Sequence, residues 1–390
     1  MYVLTLKKNE EKRILLGHPW VYANEVLKIE GKDAQGSIAK VCAYDGRFIG
    51  YGYINHLSKI IVRILTRRDE TIDNDFFKNR IINANNLRKD LGFDDNYRVV
   101  FGENDLLPGL IVDKYGDYLC VQILTLGMEV RKQMIFDILE EIFTPKGIYE
   151  RSDVSVREKE GLPQFKGVVR GKVEGPVIID ENGVKMFVDL ENGQKTGYFL
   201  DQKENRYNLR RYIKDKTVLD CFSNVGGFAL NAAVGGAKEV TALDISEVAV
   251  DYIRKNAELN GLTNIKTECA DVFEKLREYR REERKFDVIV LDPPAFTKSK
   301  DTVKEGYKGY KDINIQALKL LKSGGILVTC SCSQHLMVNL FNDMLKESVA
   351  QAGVNAKMLE FRIQSRDHST LMGLDEGLYL KVAVLYVWKN

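Results

Sequence analysis

The fold is decided by the stretch at residues 217–244, which runs TVLDCFSNVGGFALNAAVGGAKEVTALD. A short apolar run ends at Asp220 and Cys221, a glycine pair and an apolar helical segment follow, and a second apolar run ends at Asp244. Continuously apolar strands that alternate with helices are typical of a parallel sheet covered on both faces. The stretch therefore predicts one strand–helix–strand unit of a doubly wound α/β domain.

The same rhythm continues to the end of the chain. Its later segments are EVAVDYIRKNAELNG, IKTECAD, KFDVIVLD, DINIQALKLLKSGG and ILVTCSC. Each apolar run is separated from the next by a helical segment of about ten or more residues, as parallel strand connections require. We therefore predict a Rossmann-like domain over residues 193–390.

Residues 1–70 contain short alternating apolar runs, such as SIAKVCAY and KIIVRIL, separated by glycine turns, which predicts a small β-barrel. This segment carries twelve basic and eight acidic side chains, a net +4, whereas the whole chain has a net charge of +2. A phosphate-contacting module would show this excess, although solvated basic side chains would give the same count. The aromatic and basic side chains that we expect to be exposed there are Tyr51, Tyr53, Lys59, Arg63, Arg67 and Arg68.

Residues 71–175 combine helical segments with paired apolar runs, which predicts a central α+β domain. Its first helix should begin after Asp73, a suitable N-cap, and end near Gly92. Residues 176–192 place Asn182 and Gly183 between two apolar runs, and this dipeptide favours the tight turn of a β-hairpin. We expect this hairpin to connect the central domain to the last one.

The composition is that of an ordinary globular protein, with 390 residues, 44% hydrophobic and 29% charged. No stretch approaches the roughly 20 apolar residues of a membrane span, and the N-terminus lacks the apolar core of a signal peptide. Six cysteines, without CxxC spacing or histidines at metal-ligand spacing, predict neither a disulfide framework nor a zinc site. We therefore expect a cytoplasmic protein with reduced thiols, no bound metal and no membrane contact.

Acidic side chains follow successive predicted strands of the last domain. Asp244 follows the second strand, Asp271 the third and Asp292 the fourth, and ligands of doubly wound folds bind at this edge of the sheet. Gly226 and Gly227 would let the backbone approach a ligand closely, and Asp244 suits the two hydroxyls of a ribose. A dinucleotide and S-adenosylmethionine both fit this pattern, but the lack of GxGxxG disfavours nicotinamide and flavin. A tight turn without a ligand is the alternative.

The segment DPPAF at residues 292–296 ends the fourth strand abruptly. Pro293 and Pro294 stop the strand and hold Asp292 in an extended conformation. A carboxylate and the ring of Phe296 could then hydrogen-bond and stack a flat heterocycle. The alternative is a rigid surface turn.

Two cysteines stand at the end of the next strand, ILVTCSCS. Alternation places Cys330 and Cys332 on one side of the sheet, with Cys332 nearer the open end. A thiol there could add to carbon 6 of a pyrimidine and make carbon 5 nucleophilic enough to take a methyl group. Two buried cysteines with only a packing role are the alternative.

Seven segments, spread almost end to end, carry a resemblance to a known family: HPWVYANEV, PGLIVDKYGDYL, QKTGYFLDQKENR, DCFSNVGGF, DVIVLDPPAF, GYKDIN and TCSCS. Together they resemble the large-subunit (23S) ribosomal RNA cytosine-5 methyltransferase I family. The resemblance implies an N-terminal PUA-like RNA-binding domain, a central α+β domain, a connecting hairpin and a class I S-adenosylmethionine-dependent methyltransferase domain. The implied cofactor is S-adenosylmethionine and the implied partner is 23S ribosomal RNA. The oligomeric state stays open, a homodimer included.

The resemblance also implies roles for single residues. Pro293, Pro294 and Phe296 would contact the target base. The cofactor contacts would be Phe222, Ser223 and Gly226 at the methionine end, Asp244 at the ribose, Asp271 near the adenine, and Asp201 and Asp292 beside the cofactor.

Many RNA cytosine-5 methyltransferases carry a second cysteine, as Pro-Cys, in the loop that corresponds to DPPAF, whereas this chain has Pro-Pro-Ala there. The nucleophile should therefore be Cys332, and the group that removes the carbon 5 proton is open. Asp367 and His368 could serve, with a simple loop hydrogen bond as the alternative. We expect Tyr310-Lys311-Asp312 to form a helix start that Asp312 caps, with a contact to the target base as the alternative.

These observations predict an RNA methyltransferase that forms 5-methylcytosine in 23S ribosomal RNA. Cys332 would attack carbon 6 of a flipped-out cytosine, and Asp292 would hydrogen-bond or protonate ring nitrogen 3. Three alternatives remain: methylation of guanine or an exocyclic amine with a structural Cys332, an NAD-dependent oxidoreductase, and a non-catalytic RNA-binding protein that retains the cofactor fold.

Overall fold

A computed structural model describes residues 1–297 and 299–389. These residues form two compact units, and each unit is discontinuous in sequence. The first contains Met1–Ile179, Val188–Leu200 and Arg366–Gly377. The second contains Asp180–Phe187, Asp201–Ser365 and the residues from Leu378 onward. The first unit therefore includes residues 188–192 of the predicted hairpin, and residues 193–200 and 366–377 of the predicted last domain.

The N-terminal part of the first unit is a mixed β-sheet. Its elements are β1 (Tyr2–Leu6), α1 (Glu11–Leu15), β2 (Trp20–Tyr22), β3 (Val26–Glu30), β4 (Ile38–Cys42), β5 (Phe48–Ile54) and β6 (Ile60–Thr66). The strand order is β2-β6-β5-β4-β1-β3, and β1 pairs with β4 in parallel. At Gly52 the register between β5 and β6 shifts, and a Cβ atom there would overlap the backbone of Arg63. Only glycine fits this crossing.

The central part of the first unit is α+β, as the sequence predicts. Its elements are α2 (Asn74–Asp90), β7 (Asn96–Phe101), β8 (Leu110–Tyr115), β9 (Tyr118–Ile123), α3 (Leu126–Glu129), α4 (Lys132–Phe143), β10 (Gly147–Ser152) and β11 (Phe165–Gly171). The strand order is β11-β10-β9-β8-β7. The predicted N-cap is confirmed, because the Asp73 carboxylate accepts the backbone N–H of Phe76 at 3.0 Å.

Two side chains that we expected at the surface of the N-terminal sheet are buried instead. The Tyr53 hydroxyl donates to the carbonyl of Pro108. The Arg63 guanidinium lies 2.7 Å from Glu103 and 3.0 Å from Glu160. Both side chains reach the central α+β part, which removes them from the exposed surface, so the expectation was wrong for them. The basic side chains of the same set that stay exposed are Lys59 and Arg68.

A β-hairpin follows, with strands β12 (Val177–Glu181) and β13 (Val184–Val188). Asn182 and Gly183 have φ values of 56° and 79°. Positive φ at both central residues is the geometry of a type I′ turn, which confirms the turn that the Asn-Gly dipeptide predicts.

The second unit contains a doubly wound sheet, which confirms the predicted fold class. Its remaining elements are α5 (Lys203–Leu209), β14 (Thr217–Cys221), α6 (Gly227–Val234), β15 (Glu239–Asp244), α7 (Glu247–Leu259), β16 (Ile265–Cys269), α8 (Val272–Arg281), β17 (Phe286–Leu291), α9 (Val303–Leu320), β18 (Leu321–Ser331), α10 (Val338–Ala352), β19 (Asn355–Arg362) and β20 (Lys381–Trp388). The strand order is β16-β15-β14-β17-β18-β20-β19. The strands from β14 to β18 pair in parallel, and β20 is antiparallel to both of its neighbours.

The start of α9 differs from the prediction. The helix begins at Val303, so Tyr310, Lys311 and Asp312 lie in its interior and Asp312 caps nothing; its carboxylate instead pairs with Arg277. The sequence pattern predicted too late a start for the helix, because Gly306 and Gly309 have low helix propensity. These glycines are needed for packing, since a Cβ atom on Gly306 would overlap Thr297 and one on Gly309 would lie 3.2 Å from the Phe296 ring.

Candidate active site

The parallel strands bring the predicted site residues to one edge of the sheet. In the strand register, Cys221 of β14 pairs with Leu243 of β15 and with Leu291 of β17, and Leu291 in turn pairs with Thr329 of β18. Neighbouring strands lie about 4.8 Å apart. The residues that follow these strands therefore form a row along the edge, in the order Asp271, Asp244, Phe222 with Ser223, Asp292 and Cys332.

The turn after β14 has an unusual backbone. Phe222 and Asn224 adopt left-handed conformations, with φ values of 62° and 50°, and Gly226 has a φ of 92°. A bulky residue in this region is uncommon and strained, and the conformation persists only where the surrounding structure enforces it. A Cβ atom on Gly226 would also lie only 3.2 Å from Ile253. Residue 226 must therefore be glycine, and the turn forms a tight backbone cradle at the start of α6, whose contact with a ligand stays a prediction.

Asp244 is held in place by this same turn. One carboxylate oxygen accepts the N–H of Asn224 at 2.8 Å, and the other accepts the N–H of Ser246 at 2.9 Å. The side chain is half-buried. Because each carboxylate oxygen can accept more than one hydrogen bond, both remain able to accept the hydroxyls of a ribose.

Asp220, beneath the turn, is a site residue that our sequence interpretation treated only as the end of a strand. It is buried, and its Oδ2 accepts the Ser223 hydroxyl and, at 3.0 Å, the Ala229 N–H. Its Oδ1 has no hydrogen-bond partner among the residues that the structure describes. Burial raises the pKa of Asp220 to about 7, with a further contribution from the nearby Asp292 carboxylate. A buried acid with a spare acceptor at the cradle suits a polar or cationic ligand.

Two other predicted cofactor contacts have clear structural partners. The Asp271 side chain is the N-cap of α8, where it accepts the Glu274 N–H at 3.1 Å. The Asp201 carboxylate is buried and accepts the Tyr379 hydroxyl at 2.6 Å. Their contacts to a cofactor stay predictions.

Asp292 is oriented by a chain of amide side chains. Its Oδ1 accepts Nε2 of Gln202 at 3.0 Å, and the Gln202 carbonyl accepts Nδ2 of Asn205 at 2.8 Å. The Asn205 carbonyl accepts Nε of Arg362 at 2.9 Å, which anchors the chain on β19. Sequence interpretation missed Gln202, although it stands directly beside Asp201 in the quoted segment QKTGYFLDQKENR.

Phe296 packs inside an aromatic cluster. Its ring centroid lies 4.6 Å from that of Tyr310, 5.7 Å from that of Phe273 and 6.3 Å from that of Phe222. These contacts fix the DPPAF loop against α9 and against the turn that follows β14. Stacking of a base on Phe296 stays a prediction.

The two strand-end cysteines lie in different environments. Cys330 is fully buried, and burial raises the pKa of its thiol well above the ordinary range, so it stays protonated. Cys332 follows the last residue of β18 and is half-buried, with Sγ 3.9 Å from the carbonyl oxygen of Pro293. Of the two, Cys332 is therefore the partly exposed one and lies beside the DPPAF loop, and its role as nucleophile stays a prediction.

Tyr310 connects that loop to the end of β18. Its hydroxyl lies 2.8 Å from Oγ of Ser333, and 3.4 Å from both the Pro294 carbonyl oxygen and the Phe296 nitrogen. The side chain is fully buried. Sequence interpretation gave Tyr310 only a place in a helix start.

Asp367 and His368 have structural partners within the first unit. The Asp367 carboxylate bonds the His368 ring at 2.9 Å and accepts the Arg98 N–H at 2.9 Å, and its carbonyl accepts Arg88. Both residues are buried. The loop hydrogen bond that we weighed as the alternative to a base is therefore present.

Within residues 1–297 and 299–389, no cluster of three or more His, Cys, Asp or Glu side chains has an arrangement that could hold a metal ion. Helices in that same part of the chain are all too short or too polar to cross a membrane.

Comparisons with known proteins agree with this geometry. Residues 4–67 match the model of a PUA-like domain, and residues 169–374 match that of an S-adenosylmethionine-dependent methyltransferase. The chain is 44% identical over 388 residues to the ribosomal RNA large subunit methyltransferase I of Aeromonas salmonicida, with coverage of 97% of this chain and 98% of the relative. The chain belongs to the ribosomal RNA large subunit methyltransferase I family.

Further relatives extend the same match. The methyltransferase I proteins of Klebsiella pneumoniae and Shewanella amazonensis are 41% and 42% identical to this chain, over 97% and 99% of its length and 96% and 99% of their own. A solved structure of a candidate SAM-dependent methyltransferase from Streptococcus mutans has a TM-score of 0.84 at 21% identity, over 99% of this chain and 100% of that one. That similarity shows the shared fold.

The methyltransferase uses S-adenosylmethionine, and the row of strand-end residues fits this cofactor. The strained turn at Phe222 and Gly226 leaves a backbone cradle, Asp244 presents two acceptors for ribose hydroxyls, and Asp220 has an acceptor without a partner among the described residues. These groups lie on one side of the row, and Asp292 and Cys332 lie on the other. The predicted cofactor contacts and the predicted reacting groups therefore occupy neighbouring positions on one edge of the sheet.

Proposed function

We propose that this methyltransferase forms 5-methylcytosine in 23S ribosomal RNA, with Cys332 as the nucleophile. The single observation that carries the proposal is the half-buried Cys332 beside Pro293 of the DPPAF loop, next to a neighbour, Cys330, that burial keeps protonated. Relatives named for the ribosomal RNA large subunit support the choice of RNA. A ribosomal RNA substrate would place the enzyme in the cytoplasm.

The proposed reaction begins with a bond from Cys332 Sγ to carbon 6 of the cytosine. Electron density then moves into the ring, and a hydrogen bond or proton from Asp292 to ring nitrogen 3 stabilises it. When bound, S-adenosylmethionine supplies the methyl group that carbon 5 takes up. A base then removes the carbon 5 proton, the carbon–sulfur bond breaks, and Cys332 leaves as thiolate.

The contacts of Asp292 suit its proposed role. The side-chain N–H of Gln202 orients the carboxylate, and the two prolines keep the loop extended. Pro293, Pro294 and Phe296 would form the wall that the flipped base meets. Tyr310 would keep this wall at a constant distance from Cys332, because its hydroxyl bonds both segments.

The PUA-like domain would contribute the RNA affinity. Lys59 and Arg68 are exposed, and we propose that they contact phosphates. Deleting residues 1–70 would be a poor test of this role, because it would leave the buried carboxylate of Glu160 without Arg63. Point substitutions at the surface avoid this damage.

Nucleoside analysis tests the proposed function. Unmodified 23S ribosomal RNA would be incubated with the enzyme and labelled S-adenosylmethionine, digested, and separated by chromatography with mass detection. The proposal expects the label in 5-methylcytidine. Label in a methylated guanosine or on an exocyclic amine would contradict it, and would favour the alternative in which the DPPAF loop acts with a structural Cys332.

A further inference from the structure

Lysines line the edge of the doubly wound sheet that lies opposite the candidate active site. The parallel strands begin at this edge, and β20, which runs in the other direction, ends there. Six strands that are neighbours in the sheet each have a lysine directly outside the strand or as the second residue from its end. In the order of the sheet these are Lys266, Lys238, Lys216, Lys285, Lys322 and Lys389. Neighbouring strands lie about 4.8 Å apart, so the row extends over about 24 Å.

Four of these lysines have partners within the fold. The ammonium groups of Lys266 and Lys322 each pair with a carboxylate of a neighbouring strand, at 2.6 Å and 2.9 Å. The ammonium groups of Lys285 and Lys389 both donate to the carbonyl of Lys319, in the last turn of α9. A cation is stabilising at the C-terminus of a helix. The fold therefore accounts for these four side chains.

Lys216 and Lys238 are different, and Lys214 shares their properties. All three side chains are exposed, and none has a hydrogen-bond or ion-pair partner among the described residues. The backbone holds the three together, because the N–H of Lys238 donates to the carbonyl of Lys216 at 2.8 Å and the N–H of Asp215 donates to that of Gly236 at 2.9 Å. Asp215 is the one acidic residue in these two turns, so three positive charges face one negative charge. We call Lys214, Lys216 and Lys238 the basic edge.

We propose that the basic edge binds phosphates of ribosomal RNA at a distance from the target base. A nucleic-acid backbone carries a negative charge on every nucleotide, and lysine binds phosphate as a point charge, without a fixed partner geometry. From Lys216 to Cys221, at the other edge of the sheet, β14 rises by five steps of about 3.3 Å, or about 17 Å. The RNA segment at the basic edge is therefore a different one from the segment that enters the active site.

This inference rests on the ribosomal RNA substrate of the proposed function and is independent of which base reacts. It also specifies the kind of substrate. An RNA that contacts both edges of the sheet must extend well beyond the target base, as a long folded RNA does. A short hairpin around the target base would reach the active site and miss the basic edge.

The test is a filter-binding series over salt concentration with unmodified 23S ribosomal RNA and the full-length protein. The variant combines Lys214→Gln, Lys216→Gln and Lys238→Gln, which breaks no ion pair of the described residues. Each lost phosphate contact lowers the slope of log affinity against log salt concentration by about 0.7–0.9, so the slope should fall by about 2–3. Calorimetry with S-adenosylmethionine should give an unchanged cofactor affinity, which shows that the variant is folded.

The matched control removes the same number of charges elsewhere on the second unit. It combines Lys255→Gln on α7, Lys346→Gln on α10 and Lys357→Gln on β19, three exposed lysines. Its slope should equal that of the unsubstituted protein. An unchanged slope in the basic-edge variant, or an equal fall in the control, would overturn the inference, because the binding would then depend on other surfaces or on total charge.

Lysine acetylation in the unsubstituted protein, followed by peptide mass analysis, locates the contact independently. 23S ribosomal RNA should protect Lys216 and Lys238 from acetylation and leave Lys346 unprotected. Equal acetylation of Lys216 and Lys238 with and without RNA would overturn the inference.

This proposal and the proposed function fail separately. Label in 5-methylcytidine together with an unchanged slope would keep the cytosine chemistry and remove the basic edge. Label in a methylated guanosine together with a slope that falls in the basic-edge variant would keep the basic edge and remove the cytosine chemistry.

Discussion

The hydroxyl of Tyr310 lies 2.8 Å from Oγ of Ser333, in a fully buried position between the DPPAF loop and the end of β18. Asp292 and Cys332 stand on these two segments. A single side chain of α9 therefore sets the spacing between the proposed acid and the proposed nucleophile.

Tyr310→Phe should slow methyl transfer while leaving cofactor affinity unchanged. The ring keeps its packing against Phe296, but the bonds to Ser333 and Pro294 are lost, and a small misplacement of reacting groups costs about tenfold or more in rate. Steady-state kinetics and calorimetry with S-adenosylmethionine would measure both effects. Tyr307→Phe is the matched control, since that hydroxyl bonds only the surface residue Glu347 among described residues. Equal rates for the two variants would contradict the role of Tyr310.

Asp244→Asn should weaken S-adenosylmethionine binding by about 1–3 kcal/mol, because the carboxylate that we propose as the acceptor of two ribose hydroxyls becomes neutral and loses one acceptor atom. The change keeps the size of the side chain and therefore disturbs the turn less than alanine would. Isothermal titration calorimetry would measure the affinity. Asp251→Asn, on the exposed face of α7, should leave the affinity unchanged. Unaltered affinity in Asp244→Asn would remove Asp244 from the cofactor site.

Two glutamates, Glu150 and Glu181, are fully buried. Replacing each with glutamine should change the free energy of unfolding at pH 8 in opposite directions. Burial raises the pKa of Glu150, whose two carboxylate oxygens have no hydrogen-bond partner among the described residues. The folded state therefore favours the protonated form, and stability is highest below the unfolded carboxyl pKa of about 4.3 and falls as pH rises toward the raised folded pKa. Glu150→Gln should match the unsubstituted protein at pH 4 and exceed its free energy of unfolding at pH 8.

Glu181 provides the comparison, because both of its carboxylate oxygens accept Arg206 at 2.7 Å. Glu181→Gln should destabilise the protein at pH 8 by about 3 kcal/mol, since it leaves a buried guanidinium without its counter-charge. Urea unfolding between pH 4 and pH 8 would measure both variants. A loss of stability in Glu150→Gln at pH 8 would show that the Glu150 charge has a partner.

The combined change Lys59→Gln and Arg68→Gln should weaken RNA binding and lower its salt dependence. Each lost phosphate contact reduces the slope of log affinity against log salt concentration by about 0.7–0.9. A filter-binding series over salt concentration would measure the slope, with Lys89→Gln on α2 as the control. An unchanged slope would mean that this surface does not contact RNA phosphates.

Sequence patterns predicted the parts of the site that follow strands in order. Asp244, Asp292 and Cys332 could be placed because parallel strands end at one edge of the sheet, and that rule needs only the strand periodicity. The orienting residues could not be found in this way. Gln202 stands 90 positions from Asp292, and Tyr310 stands 23 positions from Ser333, so only the folded chain shows that they meet.

Burial of charged residues was also beyond the sequence patterns. Arg63 counts as a surface cation in any charge tally, but its partners Glu103 and Glu160 are distant in sequence and neutralise it inside the first unit. Lys381, the first residue of β20, is buried as well. Nothing in the alternation of that strand shows that its Nζ donates to the carbonyl of Ser333.

The central claim is that Cys332 is the nucleophile, and trapping with 5-fluorocytosine-containing 23S ribosomal RNA tests it most directly. Fluorine at carbon 5 cannot leave as a proton does, so a covalent enzyme–RNA adduct should persist through denaturation. We expect this adduct with the unsubstituted enzyme and with Cys330→Ser, and its complete absence with Cys332→Ser, whose cofactor affinity should be unchanged. An adduct that persists in Cys332→Ser, or full methyl transfer by that variant, would contradict the account.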